Sequence, residues 1–230
     1  MHLVPIGYLR SPFAEKFGTP RQPGLVPGVE SVVELASPWD NGEAVRGLEG
    51  FSHVWLLFGF HLNEPGRGGR STVRPPRLGG NERVGVFATR SPYRPNPLGL
   101  SLVKLCGVFP DRIVVSGADG VDGTPVYDIK PWLGWADRPG AGEEESGGFA
   151  GKAPGGRLEV TFGPGLEGHR LAGELERILG LDPRPAYRRD DGGREYGLTY
   201  AGHEIRWRVD DGGACLQVIA IEESIRKKPE

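Results

Sequence analysis

The stretch FSHVWLLFGFHL, residues 51 to 62, alternates with period two: Val54, Leu56, Phe58, Phe60 and Leu62 fall on one face, and His53, Trp55, Leu57, Gly59 and His61 on the other. Successive residues of a strand point to opposite sides of a sheet, so this is a long strand with one wholly apolar face. Working outward, Leu3 to Arg10, Glu30 to Ala36, Arg83 to Thr89, Leu98 to Phe109 and Arg112 to Ser116 also read as strands, with DG turns at Asp119-Gly120 and Asp122-Gly123. Closely spaced strands with little helix predict a small antiparallel β-barrel over residues 1–136. Glycine (38) and proline (21) together make up about a quarter of the 230 residues, a level at which low complexity has to be considered. Most prolines fall between apolar segments of strand length, as tight turns between strands require.

Composition changes near Asp137. Residues 137–156 are Gly, Ala, Glu and Pro with almost nothing to bury and read as a flexible linker or insertion. A smaller α+β unit is predicted over 157–230. In it Leu171, Leu175, Ile178 and Leu179 share one helical face ending at Gly180, and two or three strands follow, among them His203 to Val209 and Ala214 to Ile221 around the turn DDGG. Arg206 and Arg208 give the first of these an arginine-bearing face.

The 28 basic and 30 acidic side chains leave a net charge of −2, and no apolar run reaches the ~20 residues of a membrane-spanning helix. The opening MHLVPIGYLR lacks the pattern of a secretory signal, so a cytoplasmic location is expected. Cys106 and Cys215 are too far apart in sequence for a CxxC pair and read as small core residues, with a single disulfide left open. GxGxxG after a strand, GxxxxGK[ST], HExxH and GxSxG are all missing, and five scattered histidines argue against a metal centre.

Residues 67–94 hold seven arginines, at 67, 70, 74, 77, 83, 90 and 94, against the single acid Glu82. In VRPPRLGG and TRSPYRPNPLG they are interleaved with rigid Pro and Gly, which lowers the entropy cost of keeping a loop in a binding shape. Such a segment suits a phosphate or carboxylate, and it equally serves as a solvated cover for a sheet edge. The run DGVDGTPVYDIKP brings Asp119, Asp122 and Asp128 nearby, so that a basic loop facing an acidic one could take a mixed-charge ligand; for Asp119 and Asp122, each before Gly, plain turn chemistry is the competing reading.

The strings RSPF, PRQPG, VRGLEGFSHVWLLFGFH, VRPPRLGG, GVFATRSPYRPNPLGLS, VDGTPVYDIKP and DPRPAYR occur in this order from Arg10 to Arg188. Together they resemble the TrmO-type, or TsaA-like, family of S-adenosylmethionine-dependent tRNA methyltransferases. The resemblance implies a β-barrel methyltransferase outside the Rossmann class, a homodimer, and methylation of N6 of threonylcarbamoyl-adenosine beside the tRNA anticodon. It further implies an S-adenosyl-L-methionine pocket built from Gln22, Pro23, Gly24, His61, Leu62, Arg90 and Leu100, closed by Ser116, Gly117, Ala118 and Asp119. Within that pocket Arg90 would pair with the methionine carboxylate, and an acid would hold the ribose hydroxyls or the amine.

The target nitrogen lies between a purine and a carbonyl, so its lone pair is delocalised and a nearby acceptor would help it react. Asp122 and Asp128 are the candidate acceptors, with Asn96 and Tyr93 as orienting groups. Arg74, Arg77, Arg184, Tyr187 and Arg188 are candidate tRNA contacts through phosphate pairing and base stacking, although DPRPAYR could instead dock the second unit on the barrel. Two rivals stay open at this level. One is a barrel that uses the same donor on another RNA or a small metabolite, and the other a non-catalytic RNA-binding module.

Overall fold

In the computed structural model, which describes residues 2–63, 71–75, 81–140, 146–151, 157–184, 193–210 and 212–224, the decisive strand spans His53–Gly59. The N-terminal strands are β1 (Gly7–Arg10), β2 (Glu30–Leu35), β3 (His53–Gly59), β4 (Thr72–Val73), β5 (Val84–Gly85), β6 (Leu98–Phe109), β7 (Arg112–Ser116) and β8 (Thr124–Pro131). Six of them close into an antiparallel barrel in the order β1-β2-β7-β6-β3-β8, as the strand spacing predicts. The alternation explains the closure. Val54, Leu56 and Phe58 turn inward with Leu9, Val33, Val103, Ile113, Val115 and Val126, and burying side chains of this size contributes about 1.5–3 kcal/mol each.

Three local expectations are corrected. Leu62 is not on the inner face but 45 % exposed, because β3 ends at Gly59, where a Cβ would stand 2.9 Å from the Tyr127 ring, and the chain then turns. The strand predicted at Arg83 to Thr89 reduces to β5, paired with β4, followed by a 3-10 turn at Val86–Ala88; of that segment's apolar residues only Val86 is buried. Cys106 is exposed rather than in the core, because it sits at the register shift between Leu105 and Gly107, and both cysteines are free thiols.

The C-terminal unit consists of β9 (Glu159–Phe162), helix α1 (Ala172–Leu179), β10 (Glu195–Tyr200), β11 (His203–Val209) and β12 (Cys215–Glu223). Its sheet has the order β10-β11-β12-β9, with β9 parallel to β12 and the other pairs antiparallel. Leu175, Ile178 and Leu179 of α1 pack on Leu198, Ile205, Trp207 and Val218, and Tyr196 stacks on Trp207 with ring centroids 4.7 Å apart. The arginine face of β11 is engaged locally: Arg206 pairs with Glu195 and Glu222, and Arg208 donates to the uncharged Gln217.

The core does not respect the chain order. Phe13, Val26 and Val29, from the Pro/Gly-rich segment between β1 and β2, are buried in the C-terminal core, with Phe17 and Leu25 packed beside them. Backbone bonds fix this crossing, since Phe13 bridges Tyr200 and Ala201 N–H donates to Pro12 O at 2.9 Å. At the linker, Asp137 holds the chain to the barrel by accepting from Trp55 Nε1–H at 3.1 Å and Leu133 N–H at 2.8 Å. Residues 141–145 and 152–156 of the expected linker lie outside the described residues.

Candidate active site

The ladder between β6 and β7 runs only from Lys104↔Ser116 to Phe109↔Arg112, whereas β3 pairs with β6 from Leu98 to Lys104. At one end of the barrel, therefore, Leu100 and Ser101 run beside Ala118 and Asp119 without ladder pairing to them, and one side-chain bond crosses the space: Ser101 Oγ–H donates to Asp119 Oδ1 at 2.6 Å. A narrow cavity opens there, lined by Leu9, Phe58, Ser101, Asp119 and Thr124. Burial pushes the Asp119 carboxyl above the usual carboxylate range, opposed by the Ser101 hydroxyl and the positive charge of Arg90.

Above this end lies the PRQPG turn. Gly24 N–H donates to Gly117 O at 2.8 Å, Gly28 N–H to Ser116 Oγ at 3.0 Å, and Gly117 N–H to Val29 O at 3.0 Å. Gly117 has φ 80° and a Cβ there would meet the Gly24 backbone at 3.3 Å, so both its left-handed conformation and the close approach call for glycine. Arg90 reaches across from the other loop, its Nη1–H donating to Gln22 Oε1 at 2.6 Å. Arg90 is exposed, at the rim rather than enclosed as the sequence reading has it. Gln22, Gly24, Arg90, Ser116, Gly117, Ala118 and Asp119 thus converge, with Pro23 inside the turn and Leu100, 56 % exposed, on the outer side of β6.

His61 and Leu62 form an adjoining corner. Lys16 Nζ donates to Leu62 O at 2.6 Å and to Asn63 Oδ1 at 3.2 Å, and Asn63 Nδ2 donates to Pro92 O, which ties the corner to the ATRSPYR loop. His61 Nδ1 lies 3.5 Å from Thr124 Oγ1, and burial, then the Lys16 charge, lower its pKa from the ordinary value, so the ring is neutral at pH 7. Tyr93 and Asn96 are exposed on the same loop. Arg94 serves that loop, donating to Thr89 O and Ser91 O.

The two candidate acceptors part company. Asp122 accepts from Ser11 N–H at 3.0 Å and its own N–H donates to Phe13 O at 2.8 Å, so it closes the loop that follows β1, near His61. Asp128 pairs in register with Leu57 on the outer face of the barrel, bonded to Lys130 Nζ at 2.9 Å. At about 3.3 Å per residue it stands roughly 13 Å along β8 from Thr124, and the barrel does not bring it to Asp119.

Among the candidate RNA contacts, Arg74 is exposed beside β4, while Arg77, Tyr187 and Arg188 lie outside the described residues. Arg184 is corrected as an exposed contact. It is 1 % exposed, and its Nε and Nη2 donate to the two oxygens of Asp182 at 2.8 and 3.1 Å, so it anchors the DPRP turn from within. Sequence reading missed Ser101, Thr124 and Lys16. For Ser101 a signal exists: it is a polar residue on the inward side of β6 between Gly99 and Val103. Among the described residues no group of three or more His, Cys, Asp or Glu could hold a metal ion.

An acid at the bottom of a slot, an arginine at its rim and main-chain groups between them suit a ligand with a cation, a carboxylate and a hydrogen-bonding ring. Residues 8–138 match the model of the tRNA-methyltransferase O N-terminal domain, and residues 166–224 that of the TrmO C-terminal domain. An Escherichia coli protein named tRNA (adenine(37)-N6)-methyltransferase is 46 % identical over 94 % of this chain and 96 % of its own length. A Pseudomonas aeruginosa protein that carries the name of an S-adenosylmethionine-dependent methyltransferase is 44 % identical over 88 % of this chain and 90 % of its own. The crystal structure of TrmO from Pseudomonas aeruginosa superposes with a TM-score of 0.77 at 38 % identity, covering 96 % of this chain and 97 % of that one.

Proposed function

Because the chain belongs to the tRNA-methyltransferase O family, we infer that the barrel end just described carries the S-adenosylmethionine site of a tRNA (adenine-N6)-methyltransferase. The observation that carries the site assignment is the convergence of Gln22, Gly24, Arg90 and Asp119 around the divergence of β6 from β7. The donor fits this set by chemistry. The Asp119 carboxylate holds the ribose hydroxyls or the amine, Arg90 pairs with the carboxylate, and main-chain groups of Gly24, Leu100 and Gly117 meet the purine edge.

The donor supplies an electrophilic methyl group on a sulfonium. One S–C bond breaks as one N6–C bond forms, the sulfur leaves as a neutral thioether, and the N6 proton must pass to an acceptor. The chain's part is placement, which can contribute about 7–11 kcal/mol when it holds two reactants in line. Neutral His61 and the Asp122 carboxylate stand at the same mouth as acceptors, and Tyr93 and Asn96 rim it. Asp128 belongs to the outer face, so its acceptor role is set aside in favour of these two. The resemblance points to threonylcarbamoyl-adenosine as the methylated nucleoside, and Arg74, Arg77, Tyr187 and Arg188 are proposed to hold the anticodon loop. As a tRNA enzyme the protein is proposed to act in the cytoplasm. Among the described residues no helix is long and apolar enough to cross a membrane.

We further propose a homodimer. Exposed Leu100 and half-buried Leu57 and Trp55 give the outer barrel face an apolar strip that a second copy would cover, and sedimentation at micromolar concentration distinguishes dimer from monomer. Calorimetry with S-adenosylmethionine on the wild type and on Gln22→Ala tests the pocket. Tight binding by the wild type that weakens in Gln22→Ala supports it, and equal binding by both refutes it.

A further inference from the structure

Residues 11–29 lie between the two units. The polar tip of this segment, Gln22 to Gly24, meets the barrel at Gly117 and Arg90, while Phe13, Phe17 and Val26 enter the core of the C-terminal sheet. Three nearly consecutive residues touch that sheet in different ways. Glu15 Oε1 accepts from Thr199 N–H at 3.1 Å. The Phe17 ring lies parallel to Trp207, with centroids 6.4 Å apart and planes 4° from parallel. Gly18, at φ 86°, passes so near the sheet that a Cβ would stand 2.9 Å from Leu198 Cδ2.

A Pro/Gly-rich segment has no helix or ladder of its own to fix it, and ordering each residue costs about 1–2 kcal/mol in backbone entropy. Gln22 to Gly24 are tied to the barrel by one backbone bond and by the Arg90 bond. The burial that offsets the ordering cost comes from the side of the C-terminal sheet, where Phe13 and Val26 are buried and Phe17 packs beside them with its ring parallel to Trp207.

We propose that the C-terminal sheet is a positioning element of the methyl-donor site: Trp207 and Thr199, acting through Phe17 and Glu15, hold Gln22–Gly24 in the form that binds S-adenosylmethionine. The proposal rests on the reading of the donor pocket given above. It makes donor affinity depend on residues remote from the pocket, because the apparent dissociation constant rises as the ordered fraction of the segment falls. Thermodynamic linkage then requires that a ligand tightening the sheet also tighten donor binding, by the same factor in both directions.

The Gly24 amide, bonded to Gly117 O at 2.8 Å, is the reporter. Hydrogen exchange at Gly24 is measured on the full chain as wild type, Glu15→Ala and Phe17→Ala, with Val114 and Val115 of β7 as controls, alongside calorimetry with S-adenosylmethionine. Losing one hydrogen bond should speed Gly24 exchange about fivefold in Glu15→Ala, and losing a packed ring should speed it at least about thirtyfold in Phe17→Ala. The controls should not move. Phe17→Ala should also weaken donor binding about tenfold and raise the donor KM at unchanged kcat, and Phe17→Leu should recover most of the loss. Gly24 exchange within twofold of wild type in both alanine variants overturns the proposal. Should Phe17→Ala fail to fold, Glu15→Ala decides alone, because it removes only one acceptor from a loop. Failure of the underlying reading looks different: a Gln22→Ala variant that binds the donor normally removes the pocket, whatever Gly24 exchange does.

Discussion

Replacing Asp119 by Asn separates the charge of this residue from its shape. Asn keeps an oxygen to accept the Ser101 hydroxyl, now bonded at 2.6 Å, so the side chain stays in place. What disappears is a carboxylate whose burial raises its pKa and whose opposite charge is Arg90 at the rim. In the free protein that buried charge is a liability, so the variant should melt no lower than wild type and up to about 3 °C higher, the shift expected for about 1 kcal/mol in a chain of this size. In the complex the charge has work to do. A hydrogen bond to a charged group contributes about 1.5–3 kcal/mol, so the variant should bind S-adenosylmethionine about ten- to hundredfold more weakly. Calorimetry and differential scanning on the same preparations read both quantities. Donor affinity within twofold of wild type would refute the assignment of Asp119 to the donor, and a melting point several degrees lower would refute the claim that its charge is a cost to the fold.

Three further outcomes follow from the same geometry. The Asp119 pKa is raised above the ordinary 3.8, so on acidification the folded protein takes up this proton before the unfolded chain does; between the raised value and 3.8 stability gains while donor affinity falls, opposite trends visible in parallel melting and binding titrations. Arg90→Ala should weaken donor binding about tenfold, less than an enclosed cation would, because the guanidinium is exposed, and it should also free Gln22; unchanged affinity with lost RNA binding would reassign the loop to RNA. Arg184→Leu removes the buried guanidinium that holds the half-buried Asp182 carboxylate, so it should cost about 1.5–3 kcal/mol of stability, seen as a midpoint lower by several degrees, and an unaltered melting curve would contradict the pair.

The parts of this protein legible in the sequence are those governed by a local period. The alternation of Val54, Leu56 and Phe58 places β3 and the barrel wall, and Leu175, Ile178 and Leu179 place α1, because each pattern repeats within one element. Phe13, Phe17, Val26 and Val29 follow no period, being spaced by turns, so nothing local announces that they are buried against a sheet that begins more than a hundred residues later. Asp119 and Asp122 both precede Gly and look alike as turn residues; the fold sends one into the cavity beside Ser101 and gives the other the Ser11 amide. Arg184 reads as a surface cation because a charge is normally solvated, and its pairing with Asp182, two residues earlier and at φ 51°, has no local period that announces it. The candidate donor residues are therefore picked out by motif resemblance, while their division into slot, rim and outer face is a property of the closed barrel.

Methyl transfer to tRNA at this barrel end is read by following labelled donor into the nucleosides. The purified chain is incubated with methyl-labelled S-adenosylmethionine and tRNA carrying threonylcarbamoyl-adenosine, or the same tRNA lacking that modification, and the nucleosides are then separated and counted. Label is expected in a single nucleoside, N6-methylated threonylcarbamoyl-adenosine, in wild type, with its near loss in Asp119→Asn at limiting donor. Label absent from the modified tRNA, or equally abundant in Asp119→Asn under the same limiting donor, would contradict it.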